Sequence, residues 1–293
     1  MKDLFIYLRD PENIPRVTVD SVTGIIIADY AHSSSDHDLS RDAIRKAVNV
    51  IHACGRKAVV KTDRLFSEGE MSELHEYLEY LQQIGTDAII YTDLGIKMIL
   101  DEEIFTMKGI YAPETLLTDY YDINVLRNDG FDGCVISKDI PLGDVYEIIN
   151  ECPDYCYLRI HGPILIAYSR RRYISSYLEK KNTYLDSYYL QEESRQERLP
   201  IIEKECGSWL YDACLQSLSE VNRLLDTPVR GLIIDNVYMD DEYTMKTADL
   251  YDAVMNEEIS SDEAVMTLKS FDSDIRYTDI NDLRETQLDK ESQ

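Results

Sequence analysis

Residues 57–91 read KAVVKTDRLFSEGEMSELHEYLEYLQQIGTDAIIY and contain two apolar runs separated by a helical pattern. The runs Lys57–Lys61 and Ala88–Tyr91 are typical of strands that are buried on both faces. Between them, Ser67 and Glu70 have the spacing of a capping box. Apolar side chains then recur at helical intervals at Met71, Leu74, Leu78 and Leu81. This strand–helix–strand unit predicts two parallel strands joined by a crossover helix.

The same unit recurs along the chain. Eight segments are predicted as strands: Leu4–Leu8, Gly24–Ala28, Lys57–Lys61, Ala88–Tyr91, Gly109–Ala112, Gly133–Ser137, Tyr155–Ile160 and Gly231–Asp235. Strands that alternate with helical sequence indicate a parallel α/β fold, and eight of them in a chain of 293 residues suit a closed barrel. The sequence therefore predicts a (β/α)8 TIM-type barrel.

The connection between predicted strands seven and eight is much longer than an ordinary crossover. We predict a single barrel over residues 1–271, with an insertion at 162–230 that covers the C-terminal face, where barrels place their active sites. Within the insertion we expect helices at Ser169–Lys181 and Asp212–Leu225. Short strands are expected between them. Residues 272–293 are polar and acidic, and we expect them to form a flexible tail.

Composition restricts the functions open to the chain. Lys and Arg number 30 against 56 Asp and Glu, which gives a net charge of −26. Such a surface repels phosphate backbones, so nucleic acid is expected to be reached only through a complex. No segment is apolar enough for a signal peptide or a membrane span, and the six cysteines are expected to be reduced. We therefore expect a cytoplasmic protein that does not bind membranes.

Several polar residues lie at or just beyond the ends of predicted strands, where a barrel presents functional groups. They are Lys61, Asp63, Asp93, Glu114, Lys138, His161 and Asp235. His161 is a candidate base or substrate hydrogen-bonder, or alternatively a histidine satisfied by backbone partners under the long insertion. Asp93 could orient a substrate or cap the next helix. The remaining five could together line a pocket of mixed charge, or each could lie in a barrel-mouth salt bridge or be solvated.

The run Arg170-Arg171-Arg172 is the compact basic segment of this acidic chain. It could clamp a carboxylate or phosphate through bidentate hydrogen bonds, or it could simply be a solvated helix start. Cys152 and Cys156 have no second pair of ligands at zinc-site spacing, so we expect no metal site. Ser169 follows His161 closely, but the sequence contains neither a nucleophile elbow nor a glycine-rich phosphate loop.

The segment Ile160-His-Gly-Pro-Ile-Leu-Ile-Ala-Tyr-Ser-Arg-Arg-Arg-Tyr-Ile-Ser175 resembles the signature of the collagenase-like peptidases. The matching positions are His161, Gly162, Tyr168, Ser169, Arg171 and Ser175. Two other regions agree in order with that family, Gly85–Gly95 and Pro200–Leu215. The resemblance implies a barrel in which His161 is the candidate catalytic residue. It also implies that Arg171, Tyr168 and Asp93 join Lys61, Glu114 and Asp235 as candidate substrate-binding residues.

The departures from this family are as informative as the matches. Its two signature cysteines, which ligate an iron–sulfur cluster in some members, correspond to Leu165 and Arg172. Cys214 has a family counterpart. The segment Ile233–Val237 lacks the arginine found at the family's last strand. The resemblance therefore implies a chain without a cofactor and with most of the family's catalytic equipment missing.

Members of this family follow two functional descriptions. Some are described as collagen-degrading peptidases, and others act in prephenate-dependent hydroxylation of RNA bases. In several bacteria two members form a pair that hydroxylates the tRNA wobble uridine, and the shorter member is poor in cysteine. The resemblance implies that this chain is that shorter partner, working with a cysteine-bearing homologue. The alternatives are a peptidase and a barrel that binds a small organic acid without turnover.

Overall fold

The computed structural model describes residues 2–35, 37, 39–102, 105–114, 116–138, 140–181, 188–191, 198–272 and 274–282. The strands in these ranges are β1 (Asp3–Tyr7), β2 (Gly24–Ala28), β3 (Lys57–Thr62), β4 (Ala88–Tyr91), β5 (Lys108–Tyr111), β6 (Gly133–Val135), β7 (Cys156–Ser169), β8 (Tyr188–Leu190), β9 (Leu199–Lys204), β10 (Gly207–Gln216), β11 (Gly231–Ile234) and β12 (Tyr277–Asp279). The helices are α1 (Arg41–Ala53), α2 (Met71–Gln83), α3 (Leu94–Glu102), α4 (Tyr120–Asn128), α5 (Leu142–Glu151), α6 (Tyr173–Lys181), α7 (Val221–Leu225), α8 (Asp241–Met255) and α9 (Ser261–Lys269). Short 3-10 helices occur at Pro11–Arg16, Glu68–Glu70 and Ile280–Asp282.

Strands β1 to β7 pair in sequence order, and β11 pairs with both β1 and β7. All of these pairings are parallel, so the eight strands form a closed ring. This closure confirms the predicted (β/α)8 barrel. The predicted capping box of Ser67 and Glu70 also forms, and the Ser40 hydroxyl accepts from Ala43 N at the start of α1.

Alternating side chains of each barrel strand divide the core into two layers. Phe5, Ile26, Val59, Ile90 and Tyr157 belong to the cluster that fills the barrel interior. The residues between them pack outward against the helices in a second, larger cluster. Most residues of the barrel strands are buried and apolar, which is why these strands could be predicted from the sequence.

The insertion is built on an extension of β7. This strand continues beyond the barrel to Ser169 and pairs antiparallel with β10, which in turn pairs with β9, and β9 with β8. The helix predicted at Asp212–Leu225 is therefore wrong over its first part, because residues up to Gln216 form a strand and only Val221–Leu225 is helical. The hydrogen bonds from β7 override any local helical preference of this segment.

Lys204 and two aromatic residues place the insertion against the barrel. Lys204 Nζ donates to the carbonyls of Ser33 and Ser35, at 2.5 and 2.7 Å, in the segment that follows β2. Trp209 and Tyr211 form a buried cluster with Val237, which follows β11. The base of the insertion thus contacts the segments that follow β2 and β11 at the carboxyl ends of the strands.

Part of the segment predicted as a flexible tail is attached to the sheet. Tyr277–Asp279 forms β12, which pairs parallel with β10 from Cys214 to Gln216. Tyr277 also packs against the outer core cluster, so apolar and backbone contacts hold this part in place. The remainder of the predicted tail, residues 283–293, lies outside the described residues.

Candidate functional site

Six charged side chains converge at the carboxyl ends of the barrel strands: Lys61, Asp63, Glu114, Lys138, Arg159 and Asp235. The alternation that fills the barrel interior also directs several of them inward. Lys61 lies two residues beyond Val59 on β3, and Arg159 two residues beyond Tyr157 on β7; both Val59 and Tyr157 are interior residues. We call these six residues the mouth network.

Lys61 joins two carboxylates in the mouth network. Its Nζ lies 2.9 Å from Asp235 Oδ2 and 3.2 Å from Asp63 Oδ2. Asp63 also accepts hydrogen bonds from the backbone N–H and the hydroxyl of Ser34, each at 2.7 Å. All three charged side chains are almost completely buried. Lys61 therefore has its ammonium compensated by fixed partners.

Arg159 links the other half of the network. Its guanidinium donates to both oxygens of Glu114, at 3.0 and 3.2 Å, and approaches Asp235 Oδ2 at 3.2 Å. Lys138 Nζ donates to the same Glu114 carboxylate. Glu114 has a φ of 68°, which places a non-glycine residue in the left-handed region. The ion pairs compensate that backbone strain by holding the carboxylate between two cations.

Burial and pairing act in opposite directions on the pKa values of these groups. Burial disfavours the Glu114 carboxylate, but Arg159 and Lys138 outweigh it and hold the pKa well below its usual range. In Asp235 the pKa is likewise lowered, against burial, by Lys61 and Arg159. For Lys61 burial opposes the charge, and the carboxylates of Asp235 and Asp63 raise the pKa above its ordinary value. Glu114, Asp235 and Lys61 are therefore charged at neutral pH.

A cavity of about 270 Å³ lies between the mouth network and the insertion. Asp63 and Glu114 contribute to one side of it, and Leu165, Tyr168 and Trp209 to another. The rings of Tyr168 and Trp209 are 4.9 Å apart. The cavity therefore combines an aromatic wall with carboxylates that are already paired to cations.

The structure brings together only some of the residues predicted for a site. Lys61, Glu114 and Asp235 belong to the mouth network, and Tyr168 lines the adjacent cavity. Asp93 lies nearby, but its carboxylate is occupied by backbone N–H groups of the adjoining loop and helix. Its carboxylate accepts from Gly95 N and Phe66 N, both at 2.8 Å, so it caps the start of α3 and fixes the loop after β3.

His161 lies in the outer layer, away from the mouth network. Its Nε2 is 2.9 Å from the hydroxyl of Tyr243 and 3.5 Å from Cys214 Sγ. Its Nδ1 is 3.5 Å from the hydroxyl of Tyr251. The residue is fully buried, and burial lowers its pKa to about 3. His161 is thus a neutral histidine satisfied by tyrosine hydroxyls of α8.

A bulge in β7 explains why the His161 side chain does not face the barrel mouth. Ile233 of β11 pairs with Arg159, but the next residue, Ile234, pairs with His161. The extra residue, Ile160, shifts the alternation by one position, so His161 turns towards the helices. A pattern of alternating residues does not reveal such a bulge, so the sequence left the direction of the His161 side chain open.

Arg171 is placed apart from both His161 and the mouth network. Its side chain is exposed, and its backbone N–H donates to Ser169 Oγ while its carbonyl accepts from Ser208 Oγ. Arg171 therefore does not join the mouth network, and its role as an anion clamp stays a prediction. The triple-arginine run instead borders the outer surface of the insertion.

Arg159, which forms ion pairs with both Glu114 and Asp235, was not among the residues predicted from the sequence. Its signal was present, because Arg159 interrupts the apolar segment Tyr155–Ile160 at an inward-facing position. A buried arginine in a barrel strand requires carboxylate partners, and Glu114 and Asp235 were available at neighbouring strand ends.

The residues present do not fit an iron–sulfur cluster at the family's signature positions. Leu165 packs beside the Trp209 cluster, and Arg172 is exposed and approaches Glu203 at 3.7 Å. Neither side chain can ligate iron. Among the described residues no group of three or more His, Cys, Asp or Glu side chains is arranged to hold a metal ion.

The architecture defines a (β/α)8 barrel whose mouth carries a paired charge network beneath an inserted β-hairpin. Residues 27–289 match the family described as Peptidase family U32. This range covers most of the 293 residues, and the chain therefore belongs to that family.

Curated relatives include two proteins named for tRNA hydroxylation. The chain is 26% identical to tRNA hydroxylation protein P2 of Bacillus subtilis over 73% of this chain and 72% of that protein. It is 22% identical to tRNA hydroxylation protein P of Escherichia coli over 52% of this chain and 34% of that protein. The chain thus spans most of the first relative but only about a third of the second.

A solved U32 peptidase structure shares the fold, with a TM-score of 0.54 at 14% identity over 82% of this chain and 94% of that one. At this level of identity the likeness supports the architecture alone. Along the described ranges no helix has the length and apolar character needed to cross a bilayer.

Proposed function

We propose that this chain is a partner subunit in tRNA wobble-uridine 5-hydroxylation and works beside a cysteine-bearing homologue of the same family. Membership of family U32 and the similarity to tRNA hydroxylation protein P2 support this proposal. The names P and P2 suggest that such systems use more than one family member. The chain also matches part of a 23S rRNA 5-hydroxycytidine synthase of Escherichia coli, at 24% identity over 33% of that protein.

The observation that best supports a non-catalytic role is the ion pairing within the mouth network. Each of its three cations, Lys61, Lys138 and Arg159, contacts a carboxylate of the same network. An anionic substrate would have to displace these partners, and the cavity beside them presents the carboxylates of Asp63 and Glu114. Binding of a small organic acid at the mouth is therefore disfavoured by electrostatics.

The peptidase alternative has one favourable observation, the approach of Cys214 Sγ to His161 Nε2 at 3.5 Å. A cysteine peptidase needs a thiolate beside an imidazolium. Burial raises the pKa of the Cys214 thiol to about 12 and lowers that of His161 to about 3. Both groups are neutral at pH 7, which is the opposite of an activated pair.

The acidic surface determines how this subunit would meet RNA. A net charge of −26 repels the phosphate backbone, so we propose that tRNA is bound by the complex and mainly through the homologue. The expected compartment is the cytoplasm, where tRNA and the homologue would be available. In this arrangement the chain stabilises the homologue or shapes its substrate site through a protein interface.

Affinity purification of the tagged chain from its native cell tests the proposal. We expect a cysteine-bearing U32 homologue to be recovered in about equal amount, because a subunit complex has fixed stoichiometry. A tagged, unrelated acidic barrel protein from the same cell controls for non-specific capture. Recovery of the chain alone would contradict an obligate partner role and favour the peptidase and ligand-binding alternatives.

A further inference from the structure

The outer side of the insertion carries an apolar groove of about 660 Å³. Its walls include Tyr173 and Tyr177 of α6, Tyr189 and Leu190 of β8, and Ile201 of β9. We call this the insertion groove. Tyr173, Tyr177, Tyr189 and Leu190 expose 51%, 59%, 54% and 46% of their surface. Solvent-exposed apolar surface concentrated in one concave site is typical of a binding surface.

The groove is held in shape by polar contacts beneath it. The Glu203 carboxylate on β9 accepts hydrogen bonds from Ile174 N at 2.5 Å and Ser175 N at 3.0 Å, at the start of α6. Ser208 on β10 donates to the carbonyl of Arg171, which lies just before α6. These bonds fix α6 against the strands, so a ligand would meet a preformed surface rather than order one.

The triple-arginine run borders the groove between Ser169 and Tyr173, both of which line it. All three arginines are exposed. Within the described part of the chain, the guanidinium groups of Arg170 and Arg171 make no ion pair, and Arg172 lies 3.7 Å from Glu203. Arg170 and Arg171, which lack carboxylate partners among the described residues, thus place exposed positive charge at the edge of the groove on a chain with a net charge of −26.

The combination of tyrosines and arginines indicates which class of molecule the groove would bind. Tyrosine and arginine are enriched among the residues that contribute most to protein–protein binding. The same pair can bind single-stranded RNA, but the overall negative charge opposes a polyanion. A protein surface with aliphatic side chains bordered by carboxylates complements both the groove and its arginine edge. Charge complementarity therefore favours a protein partner.

We propose that the insertion groove is the docking surface for the cysteine-bearing family homologue, which inserts aliphatic side chains flanked by Asp or Glu. This inference rests on the proposed function and assigns it a location. Tyr177 contributes the exposed ring of the apolar wall, and Arg171 contributes a cation at the rim. Tyr168 lines both the groove and the cavity beside the mouth network, so the docking surface adjoins the barrel mouth.

The dissociation constant between the purified chain and that homologue tests the assignment. We expect Tyr177→Ser and Arg171→Glu each to weaken binding about tenfold or more, since both remove side chains of the types that dominate interfaces. Matched controls are Tyr121→Ser, an exposed tyrosine on α4, and Arg45→Glu, an exposed arginine on α1. Both controls should leave the dissociation constant unchanged, and thermal unfolding should show that all four variants are folded.

Three outcomes distinguish a failure of the docking assignment from a failure of the proposed function. If the wild-type chain binds the homologue and the groove variants bind equally well, the docking assignment is overturned while the partner role stands. If the groove variants keep the homologue but the complex loses tRNA, the groove is an RNA surface and the assignment is also overturned. If the wild-type chain does not bind the homologue at all, the proposed function itself fails.

Discussion

Arg159 connects carboxylates that follow two different strands, Glu114 after β5 and Asp235 after β11. A buried charge is tolerated only when its partners are fixed, and the three residues satisfy this condition for one another. Removing a single member leaves the others buried without compensation. The energetic role of each residue therefore depends on the whole mouth network.

We predict that Arg159→Met lowers the free energy of unfolding by about 3–5 kcal/mol, because it leaves two buried carboxylates short of a cation. Urea denaturation measures the change. The control is Arg45→Met, which removes an exposed pair with Asp42 and should cost no more than about 0.5 kcal/mol. Equal losses in the two variants would show that the network does not stabilise the barrel mouth.

His161 predicts a specific dependence of stability on pH. Burial lowers its folded-state pKa to about 3, whereas an unfolded histidine has a pKa of about 6.5. Between these values the unfolded chain binds a proton that the folded chain does not. The contribution of His161 to stability is therefore complete above about pH 6.5 and is lost as the pH falls towards 3.

We expect the free energy of unfolding to decrease by up to about 1.4 kcal/mol per pH unit between pH 6 and 4.5, and His161→Gln to flatten that slope. Tyr243→Phe keeps the imidazole and serves as the control. Urea titrations at several pH values provide the measurement. An unchanged slope in His161→Gln would mean that His161 is protonated in the folded protein.

Strand β7 belongs to both the barrel and the insertion. Gly162 lies where the strand leaves the barrel, with a φ of 134°, and a Cβ there would lie 2.1 Å from the Asp235 carbonyl oxygen. Only glycine permits this close approach between β7 and the residue after β11. Backbone packing therefore accounts for the glycine in the His161-Gly162 pair of the family signature.

Gly162→Ala is expected to destabilise the protein by more than about 2 kcal/mol, because both the backbone conformation and the available space exclude a methyl group. Gly143→Ala on α5 is the matched control. A Cβ at Gly143 meets nothing within 4 Å, so the change should be neutral or stabilising by up to about 1 kcal/mol. Thermal unfolding of the two variants decides the matter, and similar melting temperatures would refute the close contact.

The barrel could be predicted from the sequence because its strands are buried on both faces and its crossovers are amphipathic. The position of the long insertion could also be predicted, but not its internal structure, since β10 gains its structure from pairing with β7 rather than from a local pattern. The positions of Lys61, Glu114 and Asp235 near the barrel mouth could be predicted from the strand ends, and their role in substrate binding stays a prediction. Strand-end position did not reveal that a bulge turns His161 towards the helices, or that Arg159 joins the mouth network from inside a strand.

At the scale of the whole molecule, the charges divide the chain into two surfaces. Cations at the barrel mouth are paired internally, whereas those at the insertion groove remain exposed. The rest of the surface is strongly acidic. A protein with this distribution is better suited to contact another protein through its insertion than to bind RNA or a small anion in its barrel.

We propose that this chain supports hydroxylation of the tRNA wobble uridine as a partner of its homologue. Mass spectrometry of tRNA nucleosides tests it most directly, in cells that lack this chain but retain the homologue. We predict that 5-hydroxylated wobble uridine is lost, and that it returns with the wild-type chain but not with Tyr177→Ser. Unchanged hydroxylation in the cells that lack the chain would contradict the account.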